Sequence, residues 1–135
     1  MRRTAGVIGM RRAFVFGVLA ISANAAPAAP AARWTSLGPP DAQGVSAYFD
    51  GASLKKDGAL RYYSMKYVPP APVNGASYSV LSEVIDCNQK TITTLRAVGY
   101  SNDDSIVFKD NTRNEPRAAP PESTGGQIIQ ALCSR

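Results

Sequence analysis

The sequence contains no histidine, only two cysteines, and no apolar run long enough to cross a bilayer as a helix. Without an imidazole, a Ser-His-Asp or Cys-His nucleophilic system cannot be assembled. Without histidine or a third cysteine, Cys87 and Cys133 cannot complete a zinc site, and their spacing is wrong for a CxxC redox motif. Four acids remain for a paired-carboxylate mechanism, Asp50, Asp57, Glu83 and Asp86, but nothing in their spacing selects a pair. Asn102, Asp103 and Asp104 with Asp110 and Asn111 offer oxygen ligands, yet the alternating ligand spacing and glycine of an EF-hand are absent, so a solvated turn is expected. No catalytic residue, metal or cofactor is expected.

What is present begins with a leader. Arg2, Arg3, Arg11 and Arg12 precede the apolar run Ala13 to Ile21, and Ala23 and Ala25 occupy the minus-three and minus-one positions of a cleavage site. Residues 1–25 therefore read as a signal peptide, and residues 26–32 as a flexible Ala/Pro lead-in. Arg11-Arg12 leaves the twin-arginine and general routes both open, and the repeated Met-Arg-Arg leaves Met1 and Met10 both open as the start. No cysteine lies near the cleavage point, so no lipid or other stable membrane anchor is expected, and the product is expected in the periplasm or secreted.

Removing the leader changes the electrostatics. The chain is formally +5, but four of its 15 basic residues lie in the leader, leaving 11 against 10 acids. A near-neutral domain has no electrostatic footprint for nucleic acid. An even cysteine count in an oxidising compartment favours a disulfide, worth roughly 4 kcal/mol for a loop of this length in the chain-entropy model. For a domain of about a hundred residues with a modest core, that is a large contribution.

Residues 33–135 read as one α+β domain. Trp34 to Gly38 is a short strand; Val45 to Asp50 alternates like a half-buried strand and is expected to turn at Asp50-Gly51. Leu60 to Val68, rich in Tyr and closing on Val68, ends at Pro69-Pro70. Asn74-Gly75 marks a turn. Tyr78 to Cys87 and Thr91 to Tyr100 flank a hairpin loop; in the second, Thr91, Thr93, Leu95 and Ala97 are expected to face away from Ile92, Thr94, Arg96 and Val98. Ile106 to Phe108 is a last strand. Ser123 or Thr124 caps a closing helix whose Ile128, Ile129, Leu132 and Cys133 share one face. The expectation is a single antiparallel sheet of about six strands, with the C-terminal helix packed on one face and one disulfide.

Trp34, the segment Val45 to Leu54, Leu60 to Lys66, Ile85-Asp86-Cys87 with Lys90-Thr91, and the Gly126 to Cys133 helix together resemble the surface-adhesin protein E family of small exported bacterial proteins. The resemblance implies the same sheet-and-helix fold, a Cys87–Cys133 disulfide, and binding of host matrix or plasma proteins such as vitronectin and laminin. The founding adhesin is held by lipid, which this chain has no cysteine to accept. A binding or dimer face is expected at Arg61, Tyr62, Tyr63, Lys66 and Tyr67, where aromatic rings alternate with cations. The partner is then a protein or a second copy. The alternatives are a periplasmic envelope protein of structural or stress role without a host ligand, and a small carboxylate-dependent hydrolase.

Overall fold

The computed structural model describes Trp34–Ser134; the expected signal peptide and lead-in lie outside the described residues. Seven strands form one antiparallel sheet: β1 (Trp34–Ser36), β2 (Ser46–Asp57), β3 (Leu60–Val68), β4 (Tyr78–Asp86), β5 (Thr91–Tyr100), β6 (Ile106–Asp110) and β7 (Arg117–Ala118). The first six lie in sequential order, and β7 pairs with the start of β5. A helix, α1 (Thr124–Cys133), follows. The fold class is the one the sequence predicts, with the two-residue β7 added from a stretch too short to carry any periodicity.

Turn chemistry fixes the meander. At the β2–β3 connection Gly58 takes φ +56°, and before β4 Asn74 (φ 50°) and Gly75 (φ 79°) supply the left-handed pair that Val73 and Ala76 close with two 2.9 Å backbone bonds. Between β4 and β5, Asp86 Oδ1 accepts from the backbone N–H groups of Asn88 and Gln89.

Two expectations need correction. The chain does not turn at Asp50-Gly51: β2 continues to Asp57, and its register against β3 shifts between Asp50 and Lys55. Ser53 stabilises this bulge, donating to the Asp50 carbonyl at 2.7 Å and accepting from the Ser64 N–H at 2.8 Å, while Asp50 Oδ1 accepts from the Ala52 N–H. A second register shift, opposite Ser82 and Glu83, leaves Leu95 as an extra residue in β5. Ile92 and Thr94 thus share a face with Ala97, while Thr93 shares the other with Arg96 and Val98, so strict alternation fails across Leu95.

The core lies between one sheet face and the helix. Tyr63, Met65, Ile85 and Ile92 pack with Ile128 and Ile129, flanked by Phe49, Leu54, Tyr67 and Leu132. A ten-residue helix opening Thr-Gly-Gly would not persist in water alone, so its order comes from tertiary anchors. Ser123 caps its start, accepting from the Gly126 N–H at 3.1 Å. At its end, the buried Arg61 donates from Nε to the Leu132 carbonyl at 3.2 Å and from Nη1 to the Gly58 and Leu60 carbonyls. A guanidinium at a helix C-terminus meets both the unpaired carbonyls and the negative end of the dipole. The Cys87–Cys133 disulfide joins that same end to the β4–β5 hairpin.

Candidate functional site

The five residues expected to form a binding or dimer face fall on two faces. Strand period places Arg61, Tyr63 and Tyr67 against the helix and Tyr62 and Lys66 on the opposite side, and β3 shows it by burying Arg61, Tyr63 and Met65 in alternation. Arg61 serves the helix end. Tyr63 belongs to a polar network inside the core, and Tyr67 packs against that core.

In that network the Tyr63 hydroxyl donates to Glu83 Oε2 at 2.8 Å, and Arg117 donates from Nη2 to Glu83 Oε1 and from Nη1 to Thr94 Oγ1. Glu83 is 1% exposed, so its charge is compensated almost wholly by these donors. Burial, then the Glu83 charge, pushes the Tyr63 hydroxyl well above its ordinary range; burial does the same at Tyr67. The arrangement locks the segment carrying Arg117 to the sheet. Its one acid, Glu83, faces the core rather than solvent.

Among the described residues no other element covers the opposite face. Cross-strand register sets Tyr48, Lys66, Val80, Val98 and Lys109 in one row across β2 to β6. Ser64, Ser82 and Arg96 form the next row, and Tyr62, Val84 and Thr93 another. Lys66 Nζ sits 4.4 Å from the Tyr78 ring centroid and 5.8 Å from that of Tyr48, and Tyr78 stacks on Tyr100 at 5.0 Å. Val84 and Val98, each 5% exposed, form a floor among these side chains. Tyr78 donates to Asp104 Oδ1 at 2.7 Å; this bond first, then burial and the Asp104 charge, raises its hydroxyl to about 12.

Tyr48, Tyr78, Tyr100, Arg96 and Lys109 were not singled out from sequence. Their alternation within each strand is visible there, but their meeting depends on register between strands, which the sequence does not display.

The remaining candidate groups act as turn closures. Asp103 accepts from Ser101 and Ser105, bonds that hold its carboxyl at about 2, and Asp110 is lowered by its bond from the Thr112 N–H. Asp86 caps the β4–β5 turn, and Asp57 is exposed at the β2–β3 hairpin. Among the described residues no three His, Cys, Asp or Glu groups converge on a metal position. A cleft of about 360 Å³ beside the helix holds one ionisable side chain, Lys90, among Ala119, Pro121, Ile129 and Cys133. No helix among the described residues is long and apolar enough to cross a membrane.

The family comparison agrees with the resemblance. The model of the family described as Surface-adhesin protein E matches residues 34–134. Two solved structures of protein E from Haemophilus influenzae are similar. Crystal form II is 18% identical, covers 66% of this chain and 83% of its own, with TM-score 0.48. The other, from a non-typeable isolate, is 16% identical, covers 76% and 84%, with TM-score 0.48. No curated protein matches.

Proposed function

Because the chain belongs to the surface-adhesin protein E family, we propose that it is an exported, non-enzymatic module that binds a protein partner through the open face of its sheet, the face carrying Tyr48, Tyr62, Lys66, Tyr78 and Tyr100. One observation carries this reading: the helix covers only one side of the sheet, and the other gathers four of the six tyrosines over a valine floor. Tyrosine gives large, rigid contact area with a polar tip, and it is enriched where proteins meet. Host matrix or plasma proteins, laminin and vitronectin among them, are the partners the family suggests.

The test is capture of the oxidised protein on immobilised laminin and vitronectin, compared with a Tyr48→Ala/Tyr62→Ala variant. Binding lost at least tenfold in the variant, with unchanged thermal stability, supports the reading. Equal binding by both overturns the placement of the surface. Fractionation of the native host adds the compartment, since protein confined to the periplasm turns the reading toward an envelope role.

Self-association is the second reading, favoured by the buried Val84 and Val98 beneath an otherwise uncovered face. A monomer by light scattering at high micromolar concentration removes it.

A further inference from the structure

The open face carries a group of cations across its middle. Lys66 and Lys109 stand in one cross-strand row with Val80 and Val98 between them, Arg96 lies in the neighbouring row, and Lys55 is opposite Tyr62. None of these four cations makes a salt bridge among the described residues, where the single ion pair, Arg117–Glu83, is on the helix side. Most acids on or beside this face are engaged as acceptors: Asp50 by the Ala52 N–H, Asp86 by two turn N–H groups, Asp104 by the Tyr78 hydroxyl. Asp57 lies at the far hairpin end.

We infer that the occupant of this face is an acidic protein segment, laid extended across the strands, with two carboxylates about four residues apart and an apolar side chain between them. The inference rests on the reading of this face as the binding surface. Lys66 on β3 and Lys109 on β6 are three strand spacings apart, about 14 Å. An extended peptide advances about 3.4 Å per residue, so residues i and i+4 on one side of it match that span, and residue i+2 points at the valines between. Lys66, held against the Tyr78 ring, keeps N–H groups for a carboxylate, since a cation bound to a ring face is only partly coordinated. A second copy laid with the same central row over this one would bring Lys66, Arg96 and Lys109 of two chains together, and like charges oppose that alignment.

The experiment uses the oxidised protein purified as exported, labelled at valine methyls, at low and high salt. Four probes are titrated separately: blocked Glu-Thr-Val-Thr-Glu, its Lys-for-Glu and Gln-for-Glu counterparts, and a heparin oligosaccharide. The expected result is saturable shifts at Val80, Val84 and Val98 with the glutamate peptide, weakened at least fivefold by high salt. In Lys66→Gln/Lys109→Gln the affinity falls at least tenfold with an unchanged melting temperature. Equal or tighter binding of the lysine or glutamine peptide overturns the inference, as does tighter binding of heparin, which makes the occupant a sulfated polysaccharide. Valine shifts that follow protein concentration alone overturn it in favour of a dimer. If the valines respond to no probe while Tyr48→Ala/Tyr62→Ala still abolishes capture on matrix proteins, this inference fails and the reading of the face stands. If the tyrosine variant also binds normally, both fail.

Discussion

The Tyr63 hydroxyl donates to Glu83 Oε2 at 2.8 Å from the directly opposite position on the neighbouring strand, so a cross-strand pair carries a nearly wholly buried charge into the core. Among the described residues only Arg117, itself half exposed, brings an opposite charge to it.

Removing Arg117 leaves that carboxylate without its counter-charge. Arg117→Ala is expected to cost about 1–3 kcal/mol, discounted for the exposure of the guanidinium, and Tyr63→Phe about 1–2 kcal/mol. Adding Glu83→Gln to Arg117→Ala should recover part of the loss, because the residual penalty belongs to an uncompensated charge. Urea denaturation of the four proteins checks this; a double variant no more stable than Arg117→Ala removes the electrostatic account.

The disulfide spans a sequence separation of 46 residues. Replacing Cys87 and Cys133 by serine together is expected to lower stability by about 4 kcal/mol, less whatever the reduced chain recovers by relaxing. Hydrogen exchange should show the loss first in α1, whose C-terminal end the bond holds. Uniform loosening of the sheet with a protected helix would contradict this assignment.

Gly126 provides a case where propensity and packing oppose each other. Alanine there gains about 1 kcal/mol of helix propensity, but its Cβ would fall on the Pro120 carbonyl and within 2.8 Å of Pro121 Cα, backbone atoms that cannot rotate aside. The net effect of Gly126→Ala is a loss of about 2 kcal/mol or more. Gly99→Ala meets the Phe108 ring instead, a side chain free to move, and should cost less. Thermal melts of both variants decide the order.

Tyr63 and Tyr67 set the alkaline limit. Their folded pKa values are raised above the ordinary 10.0, chiefly by burial, so their contribution is fully present below that pH and lost as pH rises through the folded values. Stability should decline from just above pH 10, with tyrosinate absorbance from these two rings appearing together with unfolding. Asp103 is the acid counterpart: its folded pKa of about 2 lies below the ordinary 3.8, so its contribution is present above 3.8 and lost as pH falls toward 2. The β5–β6 turn should therefore loosen in that acid window while the core amides stay protected.

Much of this fold was legible because local rules and long-range packing agree. Leu60 to Val68 reads as a strand from composition, Asn74-Gly75 as a turn from its tolerance of positive φ, and Ser123 or Thr124 as a cap from its hydroxyl, of which the structure uses Ser123. Asp50-Gly51 misled because the same dipeptide suits a turn and a bulge, and the choice is made by Ser53 bonding to Ser64 on another strand. The split of Arg61, Tyr63 and Tyr67 from Tyr62 and Lys66 was present in the odd and even numbering of a single strand. The pairing of Glu83 with Arg117, and of Lys66 with the rings of Tyr48 and Tyr78, was not, since it depends on which strands become neighbours.

The sequential order β1 to β6 bears on how the molecule is made. Each strand's partner is the segment synthesised just before it, so the sheet can grow as a ribbon while the chain emerges, with few distant segments to await. Cys87 is the exception: it closes a strand early yet must remain unpaired until Cys133 arrives, after every strand is in place. In the folded molecule the two sulfurs meet where the helix end reaches the β4–β5 hairpin, so oxidation after docking fastens the last element made to the sheet laid down before it.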